Sequence, residues 1–484
     1  MAQPIKINTF PTIKGYAMRK TKIVCTIGPA SDKAEVLESM IREGMNVARL
    51  NSSHGTHGEH AQKINLIREI SARLDRPVAI LLDLAGPKIR VGNIPDPGIL
   101  LEPGHKFILT NRDIEGSINA VSVSYGDLPH EVKEGDRLLL ADGLMELVVV
   151  EADEHDIVCK VVTGGVLTSH KGINLPTGTF RTPSMTAKDR EDLLFGLEHD
   201  VDYIAVSFVK TADDVRMVKD IIAQQGKDTP VIAKIEKHEA LDHLDAIIDV
   251  SDGIMVARGD LGVEIPLEDV PLIQKRLIHT ANMYGKPVIT ATQMLRSMVN
   301  SPRPTRAEAT DVANAVLDGT DAVMLSEETA SGSYPIEAVM YMNRLTTVAE
   351  TGFPFEQFLR LIPGKNVSES VAHASCILAD HLGAKAIVAH SQSGMTARYI
   401  SRFRPRQPIV ALSPNIRTVR RLTLCWGCRP RLVNDPLDTD DMIEKTTQAA
   451  LDAGEVSLGD LIVITVGHPV WVSGTTNMLR VKKL

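Results

Sequence analysis

Several absences narrow the chain before any motif is read. No apolar run approaches membrane-spanning length, and the first twenty residues lack the apolar core of a secretory signal. Cysteine is scarce. Five of them, an odd number in a chain of 484 residues, lay out no disulfide framework. There is no Walker A sequence and no kinase-type glycine loop. Positive charge is not in excess either: 53 Lys and Arg against 61 Asp and Glu leave a net charge of −8, which favours solubility and offers nothing to nucleic acid. The expectation is a cytoplasmic globular protein with no membrane or nucleic-acid partner, long enough for two or three domains.

What is present centres on V-I-A-K-I-E, Val231 to Glu236, a short apolar strand bounded by Pro230. Alternate side chains of a strand share a face, so Lys234 and Glu236 are expected to point the same way. A buried ammonium is costly unless it meets an anion. A second buried strand, Gly253 to Ala257, runs into Arg258-Gly259-Asp260 and puts Asp260 at a neighbouring strand end. Two carboxylates beside one lysine can hold a hard divalent cation such as Mg2+ and leave positions open for a phosphorylated substrate. A buried salt bridge among Lys234, Glu236 and Asp260 would use the same residues, so the pattern alone leaves both readings open.

The surrounding chain repeats one unit. Apolar strands are predicted at Thr21–Thr26, Asn46–Leu50, Pro77–Asp83, Tyr203–Ser207, Val231–Glu236, Gly253–Ala257, Pro287–Thr292 and Asp321–Ser326, most of them separated by helical segments. Ser31 is a plausible cap for the first helix. Buried strands alternating with helices predict a parallel (β/α)8 barrel. Polar residues fall at the carboxyl ends, where that fold builds its sites: Thr26, Asn51, Asp83, Ser207, Glu236, Asp260, Thr292 and Ser326.

Between Lys88 and Ser184 the texture changes to short β-rich runs broken by Gly and Pro. This predicts a small β-barrel inserted in the loop after the third strand, placed to act as a lid. Lys171 could reach from it onto a phosphate, although an isolated lysine is more often solvated surface. After T-G-F-P-F-E the pattern alternates again, as in an open α/β domain. Its segment Ser391-Gln392-Ser393-Gly394-Met395-Thr396 offers hydroxyls and free amides at a helix start, which suit either a phosphate or ordinary capping. The expected division is an arm at 1–20, the barrel at 21–87 and 185–354, the lid at 88–184 and a C-terminal domain at 355–484.

Two groups look functional and are read otherwise. Cys425-Trp426-Gly427-Cys428 has no second pair and opens no thioredoxin-like unit, so it is read as two structural thiols. His54, His57 and His60 diverge around a helix and predict no zinc site.

The runs T-K-I-V-C-T-I-G-P-A-S, N-V-A-R-L-N-S-S-H-G, K-I-E, M-V-A-R-G-D-L-G-V-E-I-P, A-T-Q-M-L and P-R-P-T-R-A-E-A-T-D-V-A-N-A-V-L-D-G strongly resemble the pyruvate kinase family, from about residue 20 to the C-terminus. The resemblance implies phosphoryl transfer from phosphoenolpyruvate to ADP, giving pyruvate and ATP. It implies that Lys234 and Arg49 hold the phosphoryl group and that Glu236 and Asp260 bind Mg2+ or Mn2+. Gly259, Asp260 and Thr292 would hold the substrate carboxylate, with Thr292 and Ser326 placed for a water relay to the enolate carbon. Asn51, His54, Arg90 and Lys171 would contact the nucleotide. A phosphorylated effector would bind Ser391, Ser393, Gly394 and Thr396, with Ser473, Gly474 and Thr475 closing over it. A homotetramer is implied by the family alone.

Two departures stand out. Many members read L-D-T-K-G-P-E-I-R after the third strand, where this chain has L-D-L-A-G-P-K-I-R. The resemblance places a monovalent-cation pocket at Asn51, Ser53, Asp83 and Leu84. Leu84 brings no side-chain oxygen, and Lys88 stands where a glutamate is usual. Potassium is therefore not expected to be required. Glu327 replaces a common glycine, with no account available from the sequence. Other readings are a Mg-dependent enolate-forming lyase or aldolase on the same barrel, or a non-catalytic sugar-phosphate sensor.

Overall fold

Short apolar runs buried on both faces close on themselves here. In the computed structural model these strands are β1 (Lys22–Thr26), β2 (Val47–Asn51), β3 (Ala79–Asp83), β4 (Tyr203–Val206), β5 (Val231–Ile235), β6 (Gly253–Ala257), β7 (Val288–Ala291) and β8 (Ala322–Leu325). Each pairs in parallel with the next, and β8 pairs with β1 to close the barrel. The structure describes residues 19–176, 178, 184–452, 454–468 and 475–484. Positions 1–18 of the expected arm lie outside the described residues.

Alternation along each strand sorts the core. Val24, Val47, Leu81, Tyr203, Ile232, Met255 and Ile289 fill the barrel, while Ile23, Leu50, Ile80, Leu82, Ile204 and Ile254 meet the surrounding helices. Thr56, Thr186 and Thr305 open three of these helices with capping boxes to Glu59, Asp189 and Glu308. Ser31 is not a cap: the first helix is Ala34–Glu43, and the Ser31 hydroxyl accepts from the Gly28 amide at 3.1 Å.

Four predicted strands run one residue too far. Ser207, Glu236, Thr292 and Ser326 stand just beyond β4, β5, β7 and β8. Backbone geometry ends the ladder at two of them, with Phe208 at φ 54° after Ser207 and Thr292 at φ 70°. An apolar run does not show that turn. Asp260 sits further on, in the first turn of the short helix Arg258–Glu264.

After β3 the chain enters a six-stranded sheet of Lys106–Thr110, Ala120–Ser122, Arg137–Leu140, Met145–Ala152, Asp156–Thr163 and Ile173–Asn174. A two-stranded pair, Ile99–Leu101 with Gly165–Leu167, shares its hydrophobic core. The C-terminal sheet has β9 (Ala386–His390) at its centre, with β10 (Ile409–Ser413) and β11 (Cys428–Leu432) on one side. On the other side lie β12 (Leu461–Gly467) and the antiparallel β13 (Thr476–Lys483). Sequence reasoning missed β11 and β13 because both are edge strands, whose polar residues break the apolar run. No helix among the described residues is long and apolar enough to cross a membrane.

Candidate active site

β5 sets the site. Its penultimate residue, Lys234, projects from the barrel interior with an 11% exposed side chain, so the ammonium must be neutralised by the protein. Its Nζ lies 2.9 Å from Glu236 Oε1 and 3.2 Å from Asp83 Oδ1, and donates to Ser207 Oγ at 2.6 Å. Asp83, at the end of β3, turns its other oxygen to Arg49 Nε of β2 at 2.6 Å. Arg49 also donates to Thr26 Oγ1 of β1 at 2.9 Å. Five neighbouring strand ends thus converge on one ionic chain, with Asp83 holding two cations in register.

The electrostatics follow from burial. Burial alone would lower the Lys234 pKa, but Asp83 and Glu236 reverse this and hold it well above its ordinary value. Burial would also raise Asp83, and Lys234 and Arg49 overcome that to bring it below 3.8. Glu236 goes the other way: burial raises it, Asp260 adds repulsion, and Lys234 only partly compensates. Its Oε2 accepts from the Phe208 amide at 2.8 Å.

Asp260 is held by Lys88 rather than Lys234. Lys88 Nζ lies 3.0 Å from Asp260 Oδ1 and 3.3 Å from Asp142 Oδ1, a residue of the insert. Burial would lower the Lys88 pKa, yet Asp260 and then Asp142 raise it. With a 22% exposed side chain, Lys88 is largely withdrawn from solvent. Leu84 is buried in the core outside the barrel and gives the site only its carbonyl, which accepts from Ser207 Oγ at 2.7 Å. Asn51 Oδ1 accepts from the Ser53 amide at 3.2 Å.

Thr292 Oγ1 accepts from the Gly259 amide at 2.7 Å and donates to the Ala291 carbonyl at 2.6 Å. Arg258 braces this turn, donating to the Thr292 carbonyl at 2.7 Å and to both carboxylate oxygens of Asp311. The Ser326 hydroxyl is buried with no hydrogen-bond partner among the described residues. Glu327 forms an exposed ion pair with Arg296 at 3.3 Å.

The expected nucleotide residues are dispersed. His54 is exposed, and its carbonyl meets His60 Nε2 at 2.9 Å. Arg90 donates to the His170 carbonyl at 3.0 Å on the insert, beside the exposed Lys171. In the C-terminal domain Ser391 Oγ accepts from the Gly394 amide at 3.0 Å, and Ser393 is exposed. The Thr396 hydroxyl is buried against that of Thr476 at 2.6 Å, which joins the two loops but leaves Thr396 already engaged. Ser473 and Gly474 lie outside the described residues; Thr475 is within them.

Sequence reasoning missed a buried brace beside the site. Glu264 Oε1 accepts from Lys237 Nζ at 2.7 Å and from Asn174 Nδ2 of the insert at 2.8 Å, and Oε2 lies 3.3 Å from His238 Nδ1. Lys237 and His238 follow Glu236, while Glu264 ends the helix that begins with Arg258-Gly259-Asp260. One carboxylate therefore ties both candidate metal-ligand segments to the insert. Its presence in A-R-G-D-L-G-V-E was legible, but its burial was not. Asp142 was also missed; its only signal is the Ala141-Asp142-Gly143 turn, all three at positive φ.

Glu236 and Asp260 suit a hard divalent cation. Both are oxygen donors, and burial and Asp260 work against the charged form of Glu236, which Lys234 and the Phe208 amide only partly offset, so added positive charge relieves the site. Among the described residues the one cluster of three metal-type ligands is His238, Glu239 and Glu264, where Lys237 already supplies a cation.

Comparison with known proteins agrees with this geometry. A family model described as the pyruvate kinase barrel domain matches residues 18–339, and one described as the pyruvate kinase alpha/beta domain matches 369–482. A pyruvate kinase of Clostridium acetobutylicum is 45% identical over 470 residues, covering 96% of this chain and 99% of the relative. Pyruvate kinases of Staphylococcus aureus strains MRSA252 and USA300 are each 47% identical over 473 residues, covering 96% of this chain and 80% of the relative. The chain belongs to the pyruvate kinase family and is an enzyme of that family.

Proposed function

We propose that the chain transfers the phosphoryl group of phosphoenolpyruvate to ADP, giving pyruvate and ATP, as the last step of glycolysis in the cytoplasm. The observation that carries this reading is Lys234, charged and fixed between Asp83 and Glu236, with Arg49 on the same Asp83. Phosphoryl transfer needs positioning and charge neutralisation more than covalent chemistry, and this chain of ions supplies both.

Arg49 anchors the phosphoryl group from β2, and Lys234 follows it as it leaves the enolate oxygen. Glu236 and Asp260 would hold a divalent cation, Mg2+ or Mn2+, which when bound supplies Lewis-acid charge at the phosphoryl and substrate oxygens. The Gly259 and Asp260 amides, with Thr292 Oγ1, orient the substrate carboxylate; Thr292 exchanges its present Gly259 partner for the ligand. Ser326, whose buried hydroxyl has no partner among the described residues, and Thr292 orient a water toward the enolate carbon. The insert brings Arg90 and Lys171 over the nucleotide, which His54 and Asn51 meet from β2, and excludes water as it closes.

Turnover without potassium belongs to this reading, because Lys88 already places a cation beside Asp260. So do activation by a phosphorylated metabolite at Ser391, Ser393, Gly394 and Thr475, and a homotetrameric assembly.

An assay of pyruvate release from phosphoenolpyruvate, with and without ADP and Mg2+, tests the proposal. Pyruvate formed only with ADP, in step with ATP, is expected. Carbon–carbon cleavage of a sugar acid with no ADP requirement would indicate the lyase or aldolase reading.

A further inference from the structure

At the amino-terminal end of the barrel, opposite the site, a small cavity opens where the C-terminal domain meets the barrel floor. Lys286 and Asp321 line it from just ahead of β7 and β8, and Arg398, Arg402, Arg404 and Cys425 line it from the other side. Four of these six side chains are cationic, and the single carboxylate among them is fully occupied. Asp321 Oδ1 accepts from Arg404 at 2.9 Å and from the Trp426 amide at 3.0 Å; Oδ2 accepts from Arg404 at 2.7 Å and from the Val288 amide at 3.1 Å.

The remaining cations are only partly answered. Arg402 pairs with Glu369, while Lys286 donates to the carbonyls of Ser251 at 2.6 Å and Asp249 at 3.2 Å. The Arg398 backbone amide donates to the Gly394 carbonyl, but its guanidinium has no hydrogen bond or ion pair among the described residues. It lies one turn from Arg402 on the helix Met395–Arg402, so the two charges repel. Burial lowers the Lys286 pKa, and Arg398 adds to that against the pull of Asp252.

Two further atoms point to a ligand. The Nε–H groups of Arg402 and Arg404 are buried with no hydrogen-bond partner among the described residues, on side chains of residues only 8% and 2% exposed. Charged donors in that state carry a desolvation penalty that an anionic acceptor removes.

We propose that this cavity binds one small inorganic anion of halide size, such as chloride, which fastens the C-terminal domain to the barrel floor. The cavity volume of about 10 Å³ favours a monatomic anion over phosphate and carboxylate metabolites. It is separate from the Ser391–Thr396 loop, which stands at the other end of the same helix.

Melting of the full chain in sodium gluconate and in sodium chloride, at one ionic strength, tests the site. Chloride and bromide are expected to raise the midpoint by about 1–3 °C over gluconate, the size of shift a ligand well above its Kd gives a large chain. Arg398→Met should melt alike in all three salts. An equal midpoint in gluconate and chloride for the unsubstituted protein, or a chloride increment kept in Arg398→Met, overturns the proposal. Should that variant fail to fold, crystals of the unsubstituted protein grown in sodium bromide decide. An anomalous peak between Arg398, Arg402 and Arg404 supports the site, and none there at high bromide overturns it.

Discussion

Lys88 Nζ stands 3.0 Å from Asp260 Oδ1, so the residue that stands where the sequence resemblance expects a glutamate is itself bonded to a candidate metal ligand. A fixed ammonium about 6 Å from a phosphate contributes roughly 3 kcal/mol at an effective dielectric near 20, about a hundredfold in rate. Full turnover is therefore predicted in a potassium-free tetraalkylammonium buffer. Adding KCl at constant ionic strength should change it little. Lys88→Glu, with or without Leu84→Thr, should lose activity without potassium and regain part of it when potassium is added. Strong potassium activation of the unsubstituted protein would sink this account.

Glu264 makes a different prediction. Its buried carboxylate answers Lys237 and His238 and holds Asn174 of the insert. Glu264→Gln keeps the shape and removes the negative charge that faces Lys237, which should lower the melting point. The Mg2+ concentration for half-maximal turnover should rise about tenfold, as when the support of a metal ligand is removed. A lowered melting point with an unchanged Mg2+ requirement would show that the brace serves stability alone.

Lys22 predicts a pH effect of known sign. It is buried at the start of β1, with Nζ donating to the Cys428 carbonyl at 2.5 Å, and burial pushes its pKa down to about 8. The folded protein therefore sheds this proton near pH 8, whereas an unfolded lysine keeps it to about 10.4. Between those values the unfolded state binds more protons, so raising the pH favours folding. Relative to Lys22→Met, the unsubstituted protein should gain on the order of 3 kcal/mol at most as pH rises through this window. Urea midpoints at pH 7 and pH 10 measure the difference. A gap that does not change with pH would contradict it.

Ser393 is exposed beside the Gly394 turn, while Thr396 is already bonded to Thr476. Ser393→Glu is expected to block activation by phosphorylated metabolites and leave basal turnover unchanged, because the barrel is untouched. Activation profiles that superimpose for the two proteins would remove this loop from consideration.

The legible part of the molecule was whatever alternation and strand ends could encode. Lys234 and Glu236, two apart on one run, pair from the sequence alone, and Asp83 and Ser207 fall at predicted strand ends. The contacts that cross from one unit to another could not be read. Asp142 and Asn174 reach the barrel from the insert, and nothing in their local sequence says where they meet Lys88 or Glu264. The ends of β4 and β7 were missed because positive φ at Phe208 and Thr292, rather than loss of hydrophobicity, stops the ladder. At β11 and β13 the edge position removed the apolar run that reveals a central strand.

The central claim is that Lys234 acts on the migrating phosphoryl group, and Lys234→Met tests it most directly. ATP formation from phosphoenolpyruvate and ADP should fall by about 10³-fold or more, the loss that follows removal of a preorganised charge. In the same preparation, exchange of pyruvate methyl protons with deuterated solvent in the presence of Mg2+ should survive far better, because it transfers no phosphoryl group. Both are followed by NMR on one sample. A large gap between the two losses is the predicted result; equal loss of both activities would contradict the assignment.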